Sequence, residues 1–267
     1  MHSLVLSLRW FLTLCIIATP LCFPHVTLSA SETMQLPIGN RAIISSLKEL
    51  PKEGGYATSP DSKKYLETSL GMIREGIKPP KSGASFCSSA TYLALAAALK
   101  KMEMAGRLSI SEDCWENLLE TELSDGHGAW GIWNANGPGA ARLIGLAGLG
   151  YSFTDLSSAL PGDFLKFFWT PKIGREERGH LVVFLGSRES DGRTMIRYWS
   201  SNRPNGMGVD EVPIDEIHNP IFSRLSPTTG VNIPPPWHED EISQKMKEED
   251  FSDSDLRQIL RPAPPEQ

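Results

Sequence analysis

The stretch FCSSATYLALAAALKKMEMA, residues 86–105, decides the fold that the sequence predicts. Its apolar residues occupy every face of a helix, and five alanines between Ala90 and Ala98 separate the larger side chains. Alanine has the highest helix propensity, and Gly106 follows as a helix-ending residue. Because so alanine-rich a surface lets neighbouring elements approach closely, we expect this helix to lie in the centre of the protein.

Cys87 stands at the predicted start of this helix. The unpaired N–H groups and the dipole of a helix N-terminus favour an anion, which lowers the pKa of a thiol and makes it a nucleophile. Two structural alternatives are a buried packing residue and one half of a disulfide with Cys114. In an oxidising compartment two cysteines often pair. The position therefore predicts a candidate nucleophile and leaves both alternatives open.

Helical spacing of apolar residues precedes and follows the central helix. Ser59 or Asp61 is placed to cap the helix over residues 61–75, and Ser111 begins another. Residues 124–139 are glycine-rich and predict a loop, whose Trp130 and Trp133 either line a cleft or pack the loop onto the sheet. The predicted helices cover residues 41–50, 61–75, 86–105, 111–123 and 138–148.

Beyond Pro161 the apolar period changes from helical to strand-like. Turn-rich segments such as Ser190-Asp191-Gly192 separate the apolar runs. Strands grouped after helices favour an α+β fold over an alternating α/β fold. The predicted strands cover residues 164–170, 181–186, 195–201, 208–212 and 221–225.

The first 30 residues are typical of a cleavable secretory signal peptide. Arg9 precedes an apolar run, and Leu28-Ser29-Ala30 offers small residues for cleavage. Because Pro20 interrupts the run, it is too short to span a bilayer comfortably, so we expect export to the periplasm or beyond and no stable membrane span after cleavage. An uncleaved N-terminal anchor is the alternative. Residues 31–58 then form a lead-in with one short helix.

The net charge of −6 is concentrated in the last part of the chain. Residues 230–267 hold nine acidic and four basic side chains, and Pro234-Pro235-Pro236 begins the acidic part. This composition predicts a mostly disordered tail over residues 229–267, in which Leu256, Ile259 and Leu260 form one amphipathic turn. A basic stripe with aromatic residues, which nucleic-acid binding requires, is missing from the sequence. The spacing of ligand-type residues predicts no metal site, and no glycine-rich phosphate loop predicts a cofactor.

His180 is the histidine placed best to share a proton with Cys87. It begins the apolar run His180-Leu181-Val182-Val183, and Gly179 before it allows another segment to approach closely. The structural alternative is a histidine on a polar rim at the end of a strand. If the hairpin turns near Ser190, position 180 lies opposite position 200, and side chains alternate along each strand. We therefore predict Asn202 as the residue that orients His180, with Ser200 and Ser201 as alternatives.

Three motifs together resemble the NlpC-type branch of the papain-like cysteine peptidases. They are the helix-start cysteine, Pro161-Gly162-Asp163-Phe164-Leu165-Lys166-Phe167-Phe168 and Gly179-His180-Leu181-Val182-Val183-Phe184-Leu185-Gly186. The resemblance implies a papain-like domain over residues 59–228, with helices packed on a C-terminal antiparallel sheet. The chain departs from the family in having Phe86-Cys87-Ser88-Ser89 where Asp-Cys-Ser-Gly is usual, and in the insertion at residues 114–151.

The same resemblance implies hydrolysis of amide bonds in cell-wall (peptidoglycan) peptides without a cofactor. Cys87, His180 and Asn202 would form the catalytic triad, and Asp163 would stabilise the turn before its strand. The N–H of Cys87 would form part of an oxyanion hole, with Tyr65 as a second donor. The alternatives are an acyltransferase of the same fold and a non-catalytic binding module held by a Cys87–Cys114 disulfide.

Overall fold

The structure is a computed structural model that describes residues 35–52, 54–227, 231 and 241–260. The predicted signal peptide, residues 1–30, lies outside this part of the chain. Within the described part, none of the helices combines the length and the apolar character that crossing a membrane requires.

Helices form most of the structure before residue 150 and return near its C-terminal end. Side-chain caps mark several starts: Ser59 accepts from Ser62 N–H, and Ser111 accepts from Cys114 N–H at 3.2 Å. The helices are α1 Ile38–Leu47, α2 Pro60–Arg74, α3 Cys87–Met104, α4 Glu112–Leu119, α5 Gly128–Asn134, α6 Gly139–Leu146, α7 Glu241–Glu248 and α8 Asp253–Ile259.

Six antiparallel strands form a single sheet in the order β1-β6-β2-β3-β4-β5. The α+β prediction is confirmed at this level. The strands are β1 Gly150–Phe153, β2 Phe164–Phe168, β3 His180–Ser190, β4 Arg193–Asn202, β5 Gly206–Pro213 and β6 His218–Leu225, with 3₁₀ turns at Leu156–Ser158 and Ile214–Glu216.

The central position predicted for α3 is confirmed. Tyr92, Leu93, Leu95 and Leu99 on α3 are fully buried, and the helix lies between α1 and α2 on one side and β3 and β4 on the other. Burial of one such apolar side chain contributes roughly 1.5–3 kcal/mol to folding. Because α3 is packed from all sides, its first residue is held in a fixed position relative to the sheet.

Helix α5 occupies residues where the sequence predicted a glycine-rich loop. Trp133 Nε1 donates to Ser88 O at 3.2 Å and to Thr91 Oγ1 at 3.3 Å, while the Trp130 ring contacts Phe86 edge-on. Both tryptophans are therefore packing residues that join α5 to α3, and the cleft alternative is wrong. Strand β1 was also missed by the sequence prediction.

The C-terminal segment differs from the disordered tail that was predicted. Over residues 241–260 the structure has α7 and α8, and Phe251 N–H donates to Ile173 O at 2.7 Å. Phe251, Leu256 and Ile259 are buried in a cluster with residues of β2 and β6. The prediction of disorder is thus corrected for these residues, because the apolar side chains of α8 and Phe251 are buried and Ile242 of α7 packs against the same cluster.

Residues 31–58 were predicted as a lead-in, and their described part contributes to the core. Ile43 on α1 is fully buried, and Asn40 Nδ2 donates to Asp163 Oδ1 at 2.8 Å. Asp163 also accepts from Arg224 Nε at 2.8 Å and Nη2 at 2.7 Å. Gly162 has φ 95°, and a Cβ there would lie 2.7 Å from Asn40 O. Asp163 therefore stabilises the turn before β2, as predicted.

Candidate active site

Cys87 is the first residue of α3, where the helix leaves backbone N–H groups unpaired. Ser89 Oγ accepts from Phe86 N–H at 2.9 Å and so fixes the first turn. The Cys87 side chain is half-buried, and the backbone N–H of Leu181 on β3 is close enough to help lower the pKa of its thiol. The thiol thus lies where the start of the central helix meets the sheet.

His180 is the first residue of β3 and is enclosed by aromatic rings. Its ring centroid lies 5.6 Å from those of Phe167 and Tyr198 and 6.5 Å from that of Trp169. Gly179 before it has φ 65°, and a Cβ there would lie 2.4 Å from Phe167 O. Only glycine allows the backbone of Phe167 to come this close, so the prediction that Gly179 lets another segment approach is confirmed.

Asn202, at the end of β4, contacts His180 directly: Oδ1 lies 3.2 Å from Nε2. The nitrogen of the same side chain fixes the orientation of the Asn202 amide, since Nδ2 donates to Gly208 O at 3.2 Å and to Ser200 O at 3.4 Å. Asn202 Oδ1 therefore accepts a hydrogen bond from Nε2–H, which leaves Nδ1 of His180 to interact with the Cys87 thiol.

The two alternatives to Asn202 have other partners. Ser200 Oγ donates to Leu181 O, and Ser201 Oγ donates to Ser85 O, both at 2.9 Å. Ser85 Oγ in turn donates to Ser201 Oγ at 2.9 Å. The two serines thus tie β4 to β3 and to the segment before Cys87, and the structure brings together Cys87, His180 and Asn202.

The surroundings of Cys87 stabilise its thiolate. Burial raises the pKa of the thiol, but the hydrogen bond and charge of His180, the charge of Lys166 and the Leu181 N–H together lower it to about 6. In a substantial fraction of the molecules Cys87 is therefore a thiolate at neutral pH, and the thiolate is the nucleophilic form of a cysteine.

The disulfide alternative is wrong, because neither Cys87 nor Cys114 is part of a disulfide. Cys114 lies on α4, is 6% exposed, and its sulfur is 3.3 Å from Val231 O. Cys87 instead lines an open cavity of about 450 Å³. The residues around that cavity are Tyr56, Cys87, Trp169, Gly179, His180, Tyr198, Ser201, Asn202, Arg203 and Asp210.

Tyr56 is a cavity residue that sequence reasoning missed. Tyr65, which was predicted as an upstream donor, instead hydrogen-bonds Pro80 O at 3.2 Å and does not line the cavity. Tyr56 reaches the site because it pairs with Ser85 in a parallel bridge, and the guanidinium of Arg203 lies 4.8 Å from the centre of its ring. Burial and the nearby Cys87 charge raise the pKa of its hydroxyl, which stays protonated as a donor.

Lys166 was also missed as a member of the site. It lies in the middle of β2, is 7% exposed, and its ammonium interacts electrostatically with Cys87. The only sequence signal was one charged residue within the apolar run Phe164-Leu165-Lys166-Phe167-Phe168. Across the described residues, His, Cys, Asp and Glu side chains form no group of three or more that could hold a metal ion.

The geometry combines a half-buried thiolate, an imidazole that can carry a proton, and an amide that orients the imidazole. This arrangement can attack an electrophilic carbonyl carbon and transfer a proton to the leaving group. Comparison with known proteins adds no assignment: no family model matches the chain, and no curated protein or solved structure shows significant similarity to it.

Proposed function

We propose that this protein is a papain-like thiol amidohydrolase of the NlpC type that cleaves amide bonds in cell-wall peptides. One observation carries the proposal: the thiol of Cys87 at the N-terminus of α3 and the imidazole of His180, which Asn202 orients at 3.2 Å, line one cavity and interact there. Nucleophile, base and orienting group are the three parts of thiol-dependent acyl transfer. The motif resemblance at Gly162-Asp163 and Gly179-His180 supports the same class.

Acylation begins when the Cys87 thiolate attacks the carbonyl carbon of the scissile amide. A C–S bond forms, and the carbonyl π electrons move onto oxygen. His180 then gives its proton to the amide nitrogen, the C–N bond breaks, and the amine leaves. The product of this half-reaction is a thioester on Cys87 and a neutral imidazole.

Deacylation uses the same imidazole as a base. His180 accepts a proton from water as the oxygen attacks the thioester carbon, and collapse of the tetrahedral adduct breaks the C–S bond. The acyl group leaves as a carboxylic acid, and the thiolate and the imidazolium are restored. Asn202 keeps Nε2 protonated throughout, so that Nδ1 exchanges the proton.

Two donors are available for the negative oxygen of the tetrahedral adduct. The backbone N–H of Cys87 belongs to the unpaired first turn of α3, and the hydroxyl of Tyr56 lies in the same cavity. Loss of one such donor typically lowers kcat by about 10²–10³. Tyr56 therefore takes the role for which the sequence suggested Tyr65.

The cavity supports a short polar peptide as substrate. Tyr56 and Trp169 provide aromatic surface, and Arg203 and Asp210 provide one charge of each sign. The signal-like composition of residues 1–30 supports delivery of the protein to the compartment that contains wall peptides. Cell-wall peptides therefore fit both the site and the proposed export.

The test is hydrolysis of purified peptidoglycan and of the soluble stem peptides released from it. Products are followed by liquid chromatography and mass spectrometry, and wild type is compared with Cys87→Ala. We expect wild type to release a new carboxylate and a new amine, and Cys87→Ala to release neither. Cys114→Ala is the matched control, because it removes a second thiol of the described residues that lies away from the cavity, and it is expected to retain activity.

Other outcomes of the hydrolysis experiment either overturn the proposal or favour the acyltransferase alternative. No hydrolysis by wild type, or equal hydrolysis by Cys87→Ala, overturns the proposal. Addition of hydroxylamine separates the acyltransferase alternative, because an enzyme that favours amines over water will yield the hydroxamate in place of the acid at low amine concentration.

A further inference from the structure

Lys166 occupies an unusual place for a charged side chain. It lies between Phe164 and Phe168 on the face of β2 turned towards the helices, and it is 7% exposed. Its register partner on β3 is Leu181, whose backbone N–H helps to lower the pKa of Cys87. The strand pairing therefore places this ammonium-bearing side chain beside the backbone group that holds the nucleophile.

Among the described residues, the direct partners of the ammonium group are neutral. Nζ donates to Arg178 O and lies 5.6 Å from the ring centre of Phe168. In the described part of the chain no carboxylate oxygen comes within 4.0 Å of it, and Glu177, which interacts at longer range, accepts from Gly179 N–H instead. A buried cation without an ion-pair partner is unfavourable, so its presence points to an anion that the site itself supplies.

We propose that Lys166 is a positioning residue whose ammonium is the permanent counter-charge of the Cys87 thiolate. The role assigned to the thiolate rests on the proposed function. Burial lowers the pKa of Lys166, while the negative charge of Cys87 opposes that change; the charge of Lys166 reciprocally lowers the pKa of Cys87.

The catalytic cycle explains why a second cation is useful. His180 gives up its proton during acylation and is then neutral, so it cannot serve as a constant counter-charge. Lys166 takes no part in this proton transfer. When collapse of the tetrahedral adduct releases the thiolate, Lys166 therefore stabilises it together with the imidazolium that has just formed.

The other titratable groups that face the sulfur are few. His180 faces it from β3 and Tyr56 from the segment paired with Ser85, while Arg203 and Asp210 line the same cavity. Glu177 faces Lys166 from the loop before β3. Lys166 differs from Arg203 in being a buried cation on the strand that pairs with Leu181.

The experiment measures the rate at which iodoacetamide alkylates Cys87 between pH 4.5 and 9.5, by mass spectrometry of the intact protein. Lys166→Met removes the charge at similar volume, and Lys166→Arg retains it. Lys64→Met, at an exposed lysine on α2, is the matched control. Folding of each variant is checked by thermal unfolding.

We expect Lys166→Met to move the midpoint of the pH profile upward by about one unit, which lowers the rate at pH 6 by about fivefold. The rates at high pH should be equal, since the thiol is then ionised in both proteins. Lys166→Arg and Lys64→Met should keep the wild-type midpoint. An unchanged midpoint in folded Lys166→Met overturns the proposal.

A reciprocal measurement covers the case in which Lys166→Met does not fold. The Lys166 side chain is titrated by NMR in wild type and in Cys87→Ala, and its midpoint should fall when the thiolate is removed. An equal midpoint contradicts the pairing. Because neither readout needs turnover, a shifted profile in a protein that hydrolyses nothing would keep the lysine assignment and refute only the peptidase proposal.

Discussion

The Nε2 atom of His180 lies 3.2 Å from Oδ1 of Asn202, across the adjacent ends of β3 and β4. The amide cannot rotate without losing its hydrogen bonds to Gly208 O and Ser200 O. The contact therefore fixes which ring nitrogen carries a proton when the imidazole is neutral. It also fixes which nitrogen faces Cys87.

Removal of this amide should impair catalysis while leaving the fold intact. We expect Asn202→Ala to lower kcat by about 10²-fold or more, because the imidazole can then adopt the wrong tautomer. Steady-state hydrolysis of a wall peptide measures the effect. Asn205→Ala changes an exposed asparagine in the following turn and should be neutral; equal activity of Asn202→Ala and wild type would refute the orienting role.

Alkylation of Cys87 should follow a pH profile with its midpoint near 6. Below that pH the thiol is protonated and slow, and above it the thiolate dominates, since the folded protein lowers the pKa to about 6. We expect His180→Ala to raise the midpoint by about one to three units, because it removes the principal donor and cation. His218→Ala is the control; coincident profiles of wild type and His180→Ala would contradict the assigned contact.

The buried pair of Asp163 and Arg224 should dominate stability near the turn before β2. In Arg224→Leu the Asp163 carboxylate, which is fully buried, keeps only N–H donors and loses its counter-charge. We expect the free energy of unfolding to fall by about 3–5 kcal/mol, measured by urea denaturation. Arg188→Leu breaks the exposed pair with Glu211 and should change little; similar losses in both variants would argue against a special role for the buried pair.

The C-terminal helices should separate from the sheet as a local unit. We expect Phe251→Ala to lower the free energy of local opening by about 3 kcal/mol, since it leaves a cavity beside Ile173 and Phe168. Hydrogen exchange should increase in α8 and at Phe251 N–H, and remain unchanged in β3 and β4. Leu146→Ala, at an exposed position on α6, is the control; faster exchange throughout the sheet would show that α8 belongs to the main cooperative unit.

The hairpin that carries His180 shows how much of the site can be predicted from the sequence. Alternation and the turn signal predicted that position 180 lies opposite the end of the next strand. The turn is centred between Asp191 and Gly192, about one and a half residues later than assumed, which alone would place position 203 opposite His180. A bulge between Phe184 and Gly186 moves the partner back by one residue to Asn202, and neither feature can be located from alternation alone.

The sequence could not predict the residues that reach the site through pairing between segments far apart in the chain. Tyr56 reaches the cavity through one bridge to Ser85, and Lys166 is identified only by the register of β2 with β3. Helix α5 has two glycines that lower its helix propensity, and packing of Trp133 against α3 compensates for them. These features arise from tertiary contacts between segments far apart in sequence.

The position of β6 has a consequence for the biosynthesis of the protein. Although it is the last strand, it is inserted between β1 and β2, and β2 in turn supports the strand that begins at His180. The sheet therefore cannot close until residue 225 has been synthesised and, if the chain is exported unfolded, translocated. A nascent chain that already contains Cys87 and His180 lacks the framework that holds them together, so the nucleophile stays unactivated until β6 has joined the sheet.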